Sequence, residues 1–295
     1  MSDDILILSG VRTAIGTFGG ALKDVPPAKL GSIVIAEAMA RAGIEPADVD
    51  HVFMGQVIPT IAQDAYLARV AALGADIPVS APALTMNRLC GSGVQAIISA
   101  AQTLRLGEAE FVVAGGAENM SRAPHLVASA RFGQKMGPIE MVDALTTTLS
   151  DPLDGYHMGV TAENIAAQCK ISREDQDALA LESQRRAARA IAEGRFNEQI
   201  VPVEVSTRKG VIVFDTDEHV RGDTTAEGLT KLRPAFQKEG TVTAGNASGV
   251  NDGAAALVLA TAAAAASSIS RPLRNRSSVK GALMAWGSSF AMVHA

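Results

Sequence analysis

Aromatic residues are scarce in this 295-residue sequence: eight Phe, two Tyr and one Trp make up 4% of it. The core must therefore be assembled from Ala, Val, Ile, Leu and Met, which supply most of the 47% hydrophobic content. Cysteine is nearly absent. Cys90 and Cys169 are the only two, which excludes a disulfide framework and points to a reducing compartment. An excess of basic charge is missing as well, since the net charge is −5, and this argues against nucleic-acid binding. The start of the chain, Met1-Ser2-Asp3-Asp4, is acidic, and the apolar run after it covers only Ile5 to Leu8. That is too short for a signal peptide or a membrane span, so a cytoplasmic chain with no membrane partner is expected. His51, His125 and His219 have no partners at metal-ligand spacing, so no metal site is expected. The glycines between Gly10 and Gly20 do not form a GxGxxG turn before a helix, which excludes a dinucleotide fingerprint.

What is present is an alternation of short apolar runs and amphipathic stretches. Ile5–Leu8, His51–Val57, Phe111–Gly116 and Ala254–Ala260 read as strands, the first as one buried on both faces. Residues 28–42 and 64–73 read as helices ended by Gly43 and Gly74. Pro82–Met86, then Val94–Leu106, then Phe111–Gly116 make strand, helix and strand, a βαβ unit with a parallel sheet. Apolar residues cover most of the circumference of the 94–106 helix, which predicts burial on all sides and a second layer opposite the sheet.

The turn between that strand and helix is Asn87-Arg88-Leu89-Cys90-Gly91-Ser92-Gly93. A thiol at a helix start lies near unpaired N–H groups and the positive end of the dipole, which favours the thiolate. On local features two readings stand side by side: an activated nucleophile, or a buried structural cysteine. Cys169 lies among apolar helical neighbours and reads as structural.

From Glu118 to about Gly245 the chain is more polar and reads as an insertion. Ser172 and Asp175 form a capping-box start for a charged helix over 173–193, and 200–205 and 211–214 alternate as strands. After Asp252 there is no Asp or Glu, and residues 266–295 are serine-rich without steady periodicity, which predicts an aberrant or disordered tail.

The 87–93 segment, with an apolar helix behind it, resembles the nucleophile segment of the thiolases, acyl-CoA C-acyltransferases. Val11–Gly16, Gly115–Ser121, Gly155–Gly159, Leu232–Phe236 and Thr241–Gly249 resemble thiolase segments in the same order. The resemblance covers residues 4–265. It implies an α/β thiolase-like fold, in the complete family a layered αβαβα arrangement of two similar halves. Here that means an N-terminal thiolase domain over 1–120 and 245–265, with an inserted loop domain over 121–244 on the coenzyme A side. It implies Cys90 as the acyl-accepting nucleophile, with His157, Met158, Arg221, Phe236, Ala244 and Ser248 along coenzyme A. Gly228 stands where close relatives often carry a serine that contacts coenzyme A. The 122–138 loop resembles a thiolase assembly loop, which implies a homotetramer for the complete family protein.

The reaction implied is a reversible Claisen condensation of two acetyl-CoA to acetoacetyl-CoA and coenzyme A, or thiolysis of 3-ketoacyl-CoA. Either belongs to fatty acid or polyhydroxyalkanoate metabolism. Acyl-CoA is substrate, and no permanently bound cofactor is expected. The family also uses a Gly-His-Pro histidine, a second catalytic cysteine and an Asn-Glu-Ala-Phe segment, and none of these occurs in the sequence. The expectation is a chain without the C-terminal thiolase domain and with little or no activity alone. Two other readings remain: an acyl-CoA-binding protein of the same fold without chemistry, and a ketoacyl synthase, which the His157-Met158-Gly159 loop and the large insertion disfavour.

Overall fold

A computed structural model describes residues 4–270, with side chains to residue 267. The expected tail at 266–295 lies outside the described residues from position 271. In chain order come β1 (Ile5–Thr13), β2 (Gly16–Thr17), α1 (Pro27–Ala42), β3 (His51–Gly55), α2 (Leu67–Leu73), β4 (Ala83–Met86), α3 (Ser92–Arg105) and β5 (Phe111–Asn119). Then follow β6 (His125–Leu126), β7 (Val142–Asp143), α4 (Ala144–Thr148), α5 (Met158–Cys169) and α6 (Arg173–Ala192). The last elements are β8 (Ile200–Val201), β9 (Val203–Thr207), β10 (Gly210–Phe214), α7 (Ala226–Thr230), β11 (Asn251–Thr261) and α8 (Ala262–Ser270).

Local chemistry sets several of these boundaries. Pro27 opens α1, where its missing N–H costs nothing. Gly43 closes it at φ 68°, in the left-handed region that glycine enters freely. α6 starts at a capping box: the Ser172 hydroxyl accepts from the Asp175 N–H at 3.1 Å, and the Asp175 carboxylate accepts from the Ser172 N–H at 3.3 Å.

The main sheet runs in the order β4-β3-β5-β11-β1-β8, with β2 paired to β11. β3 is parallel to both β4 and β5, as the βαβ reading requires. β11, however, is antiparallel to β5 on one side and to β1 on the other. The sheet is therefore mixed, with its latest strand at its centre. Successive side chains point to opposite faces. Val52 and Met54 of β3 and Val113 of β5 join the core beneath α1 and α2. Phe53, Val112 and Ala114 join Ala96, Ala100 and Leu104 of α3 on the other face. Each large apolar side chain buried in this way contributes about 1.5–3 kcal/mol.

Two expectations about burial are corrected here. α3 packs one face on the sheet, while Val94 (63% exposed) and Ile98 (40%) of its opposite face meet solvent. No second described layer covers it. Leu6 and Ile7 of β1 are also exposed, because α1 covers the later half of that strand, where the Ser9 hydroxyl donates to the Ala38 carbonyl at 2.6 Å. The 196–214 stretch is joined to the main core: β8 pairs with Arg12 and Thr13, and Phe196, Val203, Val205 and Phe214 pack there. Arg12 closes this junction. Its guanidinium lies 5.1 Å from the Phe196 ring centre and donates to both Asp217 carboxylate oxygens, at 2.7 and 2.9 Å.

Candidate active site

β4 delivers the chain to an elbow, and α3 leaves it. Leu89 sits at φ 49°, a left-handed conformation that is uncommon for a residue with a side chain. The Asn87 Oδ1 accepts from the Leu89 N–H at 2.9 Å. The Ser92 hydroxyl donates to the Leu89 carbonyl at 2.6 Å and accepts from the Arg88 N–H at 2.8 Å. Cys90 follows, exposed and with its thiol free, one residue before Gly91, the N-cap of α3. Gly55 at the end of β3 lets the helix start approach: a Cβ there would stand 2.8 Å from the Ser92 Cβ. Of the two local readings of Cys90, the buried structural thiol is thus excluded by its exposure. Cys169 is exposed as well, as the last residue of α5, which corrects the expectation of a structural cysteine.

A cavity of about 820 Å³ opens between α5 and the 236–250 stretch. Four of the expected residues line it: His157, Met158, Phe236 and Ser248, together with Met120 and Leu149. His157 is the N-cap of α5, and its Nδ1 accepts from the Gly159 N–H at 3.0 Å, so in the neutral ring the proton is on Nε2. The imidazole stacks on Phe236, with ring centres 4.9 Å apart and planes 16° from parallel. Gly159 is required beneath this pair, since a Cβ there would meet the Phe236 ring at 2.2 Å. Cys90, Arg221 and Ala244 do not line the cavity. Arg221 is exposed, with its N–H donating to Gln184 Oε1 at 2.8 Å, and Ala244 is exposed. Gly228 uses its N–H to cap α7 on the Thr225 hydroxyl at 3.0 Å.

The cavity wall rests on buried carboxylates that the sequence reading passed over. Glu163 accepts from the Thr241 and Val242 N–H groups, both at 2.8 Å, and from the Thr241 hydroxyl at 2.9 Å. Burial works to raise its carboxyl, but these three donors prevail and hold it below the usual range. Asp177 pairs with Arg173 at 2.7 Å and accepts from Asn246 Nδ2 at 2.8 Å. The available signal for Glu163 was that it is the one charged residue of the 159–166 stretch of α5. Behind the elbow, burial pushes the Glu118 carboxyl up, although it accepts from the Val57 and Ile58 N–H groups at 2.7 and 3.1 Å. Burial likewise raises Asp252, which accepts from the Ser121 hydroxyl at 2.6 Å. Among the described residues, no group of three His, Cys, Asp or Glu could hold a metal ion, and no helix is long and apolar enough to cross a membrane.

An exposed thiol at a strand-to-helix elbow and a separate apolar cavity define an α/β fold with a candidate nucleophile and a candidate ligand site, and sequence similarity names the family. Residues 5–263 match the thiolase N-terminal domain, and the chain belongs to the thiolase family. It is 58% identical over 260 residues to beta-ketothiolase BktB of Cupriavidus necator, covering 88% of this chain and 66% of that protein. It is 48% identical over 264 residues to an acetyl-CoA acetyltransferase of Pseudomonas aeruginosa, covering 89% and 67%. Among solved structures, the Bacillus anthracis acetyl-CoA acetyltransferase superposes with a TM-score of 0.88 at 46% identity, covering 91% of this chain and 68% of that one. Human mitochondrial 3-ketoacyl-CoA thiolase in complex with CoA superposes with a TM-score of 0.85 at 44% identity, covering 89% and 66%. The chain thus spans about two thirds of the length of these relatives.

Proposed function

We propose that this chain carries the acyl-accepting half of a thiolase reaction, with Cys90 as the nucleophile. The observation that carries the reading is the exposed Cys90 thiol on the elbow ahead of α3. Its sulfur attacks the carbonyl of an acyl-CoA thioester, the coenzyme A sulfur leaves with the proton, and an acyl-Cys90 thioester remains. In the condensing direction, a base takes an α-proton from a second acetyl-CoA, and the resulting carbanion attacks that carbonyl. A carbon–carbon bond forms, the Cys90 sulfur leaves, and acetoacetyl-CoA is the product. In thiolysis the sequence runs backwards.

The cavity beside His157, Met158, Phe236 and Ser248 is the proposed place for the pantetheine end of coenzyme A, where the 121–244 segment meets residues 245–250. A human relative has been solved in complex with CoA, which supports coenzyme A as the class of ligand. Arg221 and Ala244 are proposed to contact the same ligand outside the cavity. The 122–138 loop is proposed to pack between subunits of a tetramer, and its Phe132 (91% exposed) and Met136 (86%) are free to do so.

The 295 residues by themselves supply neither the Gly-His-Pro histidine nor a third cysteine, so slow or absent turnover is proposed for this chain alone. A general acid/base group contributes about 10²–10⁴ in rate. That shortage also favours a second reading, acyl-CoA binding without chemistry. Incubation with acetyl-CoA followed by intact mass and peptide mapping separates the two. An acetyl group on Cys90 supports the nucleophile, whereas bound coenzyme A without an adduct overturns it in favour of the binder.

A further inference from the structure

Cys90 is held by its neighbours on the chain, and those neighbours are held in turn. Leu89 occupies a left-handed conformation that side-chain-bearing residues adopt only when surroundings fix it. Its N–H donates to Asn87 Oδ1 at 2.9 Å. The other end of the same carboxamide, Asn87 Nδ2, donates to the Val57 carbonyl at 3.1 Å. Val57 belongs to the loop leaving β3, and that loop is itself fixed. The Val57 and Ile58 N–H groups donate to the two carboxylate oxygens of Glu118, at 2.7 and 3.1 Å, and the Gln56 N–H donates to the Met86 carbonyl at 3.1 Å. A series of hydrogen bonds therefore runs from Glu118 on β5, through Val57 in the loop after β3, to the N–H of Leu89, the residue before Cys90.

We infer that Asn87 is a positioning residue for Cys90, tying the elbow to a loop that Glu118 anchors from behind. This rests on the reading of Cys90 as acyl acceptor. Leu89 is the hinge of the arrangement. Without the carboxamide, Leu89 relaxes toward negative φ and Cys90 swings away from the start of α3. A residue without a Cβ at position 89 would reach the same conformation unaided. A thiol held beside a helix N-terminus reacts faster than one on a free loop.

The test is the rate of Cys90 alkylation by iodoacetamide, read by peptide mass spectrometry as a ratio to Cys169 in the same molecule. Asn87→Ala is expected to lower the ratio about fivefold or more, and Leu89→Gly added to Asn87→Ala is expected to restore it to within about twofold of the wild type. A general loss of structure would affect both cysteines and would not be repaired by deleting a side chain. An unchanged ratio in Asn87→Ala, or no recovery with Leu89→Gly, overturns the inference. Should Asn87→Ala fail to fold, Leu89→Gly serves as the parent, and a further fivefold loss on adding Asn87→Ala to it overturns the inference equally. Acetyl-CoA labelling of the wild type runs alongside. Absence of an adduct there removes the acyl-acceptor reading alone, because the alkylation ratio does not depend on it.

Discussion

The His157 imidazole, at the start of α5, lies face to face with the Phe236 ring, in the stretch after α7, with 4.9 Å between centres. The pair forms one wall of the cavity, and each ring fixes the other. Phe236→Ala is expected to release the imidazole and widen the cavity. An aromatic pair contributes about 0.5–1.5 kcal/mol beyond its buried area, so coenzyme A affinity should fall about tenfold or less if only the wall is lost. Isothermal titration with coenzyme A measures this, and unchanged affinity would remove the cavity from the proposed site.

Gly159 tests the same wall from beneath. Gly159→Ala places a methyl group 2.2 Å from the Phe236 ring, so the ring must turn away. The expected cost is about 1–3 kcal/mol of stability, together with weaker coenzyme A binding. Thermal melts and the same titration check both; an alanine variant with wild-type behaviour in each would contradict the packing.

The Glu163 clamp carries a pH signature. Its folded-state carboxyl lies below the ordinary 4.5, so its contribution is complete above that value and is lost as pH falls through the folded value. Glu163→Gln is expected to cost about 1.5–3 kcal/mol near pH 7, the range for hydrogen bonds to a charged group. The gap between wild type and variant should narrow in acid. Urea denaturation at pH 7 and at a series of values below 4.5 reads the difference, and a gap that stays constant throughout would refute the clamp.

Asp217 ties the segment after β10 to Arg12 of β1 and to Ile15. Burial acts to raise its carboxyl, but the Arg12 guanidinium and the Ile15 N–H outweigh it and keep it below the usual range. Asp217→Asn leaves Arg12 half-buried and unpaired, and a loss of about 1–3 kcal/mol is expected. Arg12→Met with Asp217→Leu should recover part of that loss. Denaturation midpoints of the single and double variants decide it.

The outer face of α3 makes the opposite prediction. Val94→Lys and Ile98→Lys replace exposed side chains, so stability should change by no more than about 0.5 kcal/mol. Binding of the dye ANS to the chain should fall at the same time, because the exposed apolar stripe is interrupted.

The sequence made the elements along the chain legible wherever a local rule sets them. Gly43, the Ser172–Asp175 box and the apolar runs of β3 and β5 each act within a few residues. Pairing partners hundreds of positions apart leave no such mark. Nothing in Ala254–Ala260 shows that it lies antiparallel between β5 and β1, and nothing in Ile200-Val201 shows that it joins the same sheet. The all-apolar pattern of α3 was read correctly as chemistry, yet only one of its faces is covered. At the site, the Gly155–Gly159 and Leu232–Phe236 segments were visible as motifs, and the structure brings His157, Met158 and Phe236 to one cavity. Asn87, Glu163 and Asp217 were not visible as supports, because their partners are backbone groups and, for Glu163 and Asp217, a hydroxyl and a guanidinium far away in the chain.

The central position of β11 sets a schedule for the molecule's assembly. β1 is made first, yet its Ile5 pairs with Thr261, and β5 likewise waits for the same late strand. During synthesis at roughly 5–20 residues per second, the first strand therefore stays without that partner for about 10–50 s after it appears. Loop closure over such a distance is slow, and two apolar strand edges stay open throughout. A ribosome that stalls before residue 251 leaves a chain whose sheet is split down the middle, a ready substrate for chaperones or for aggregation.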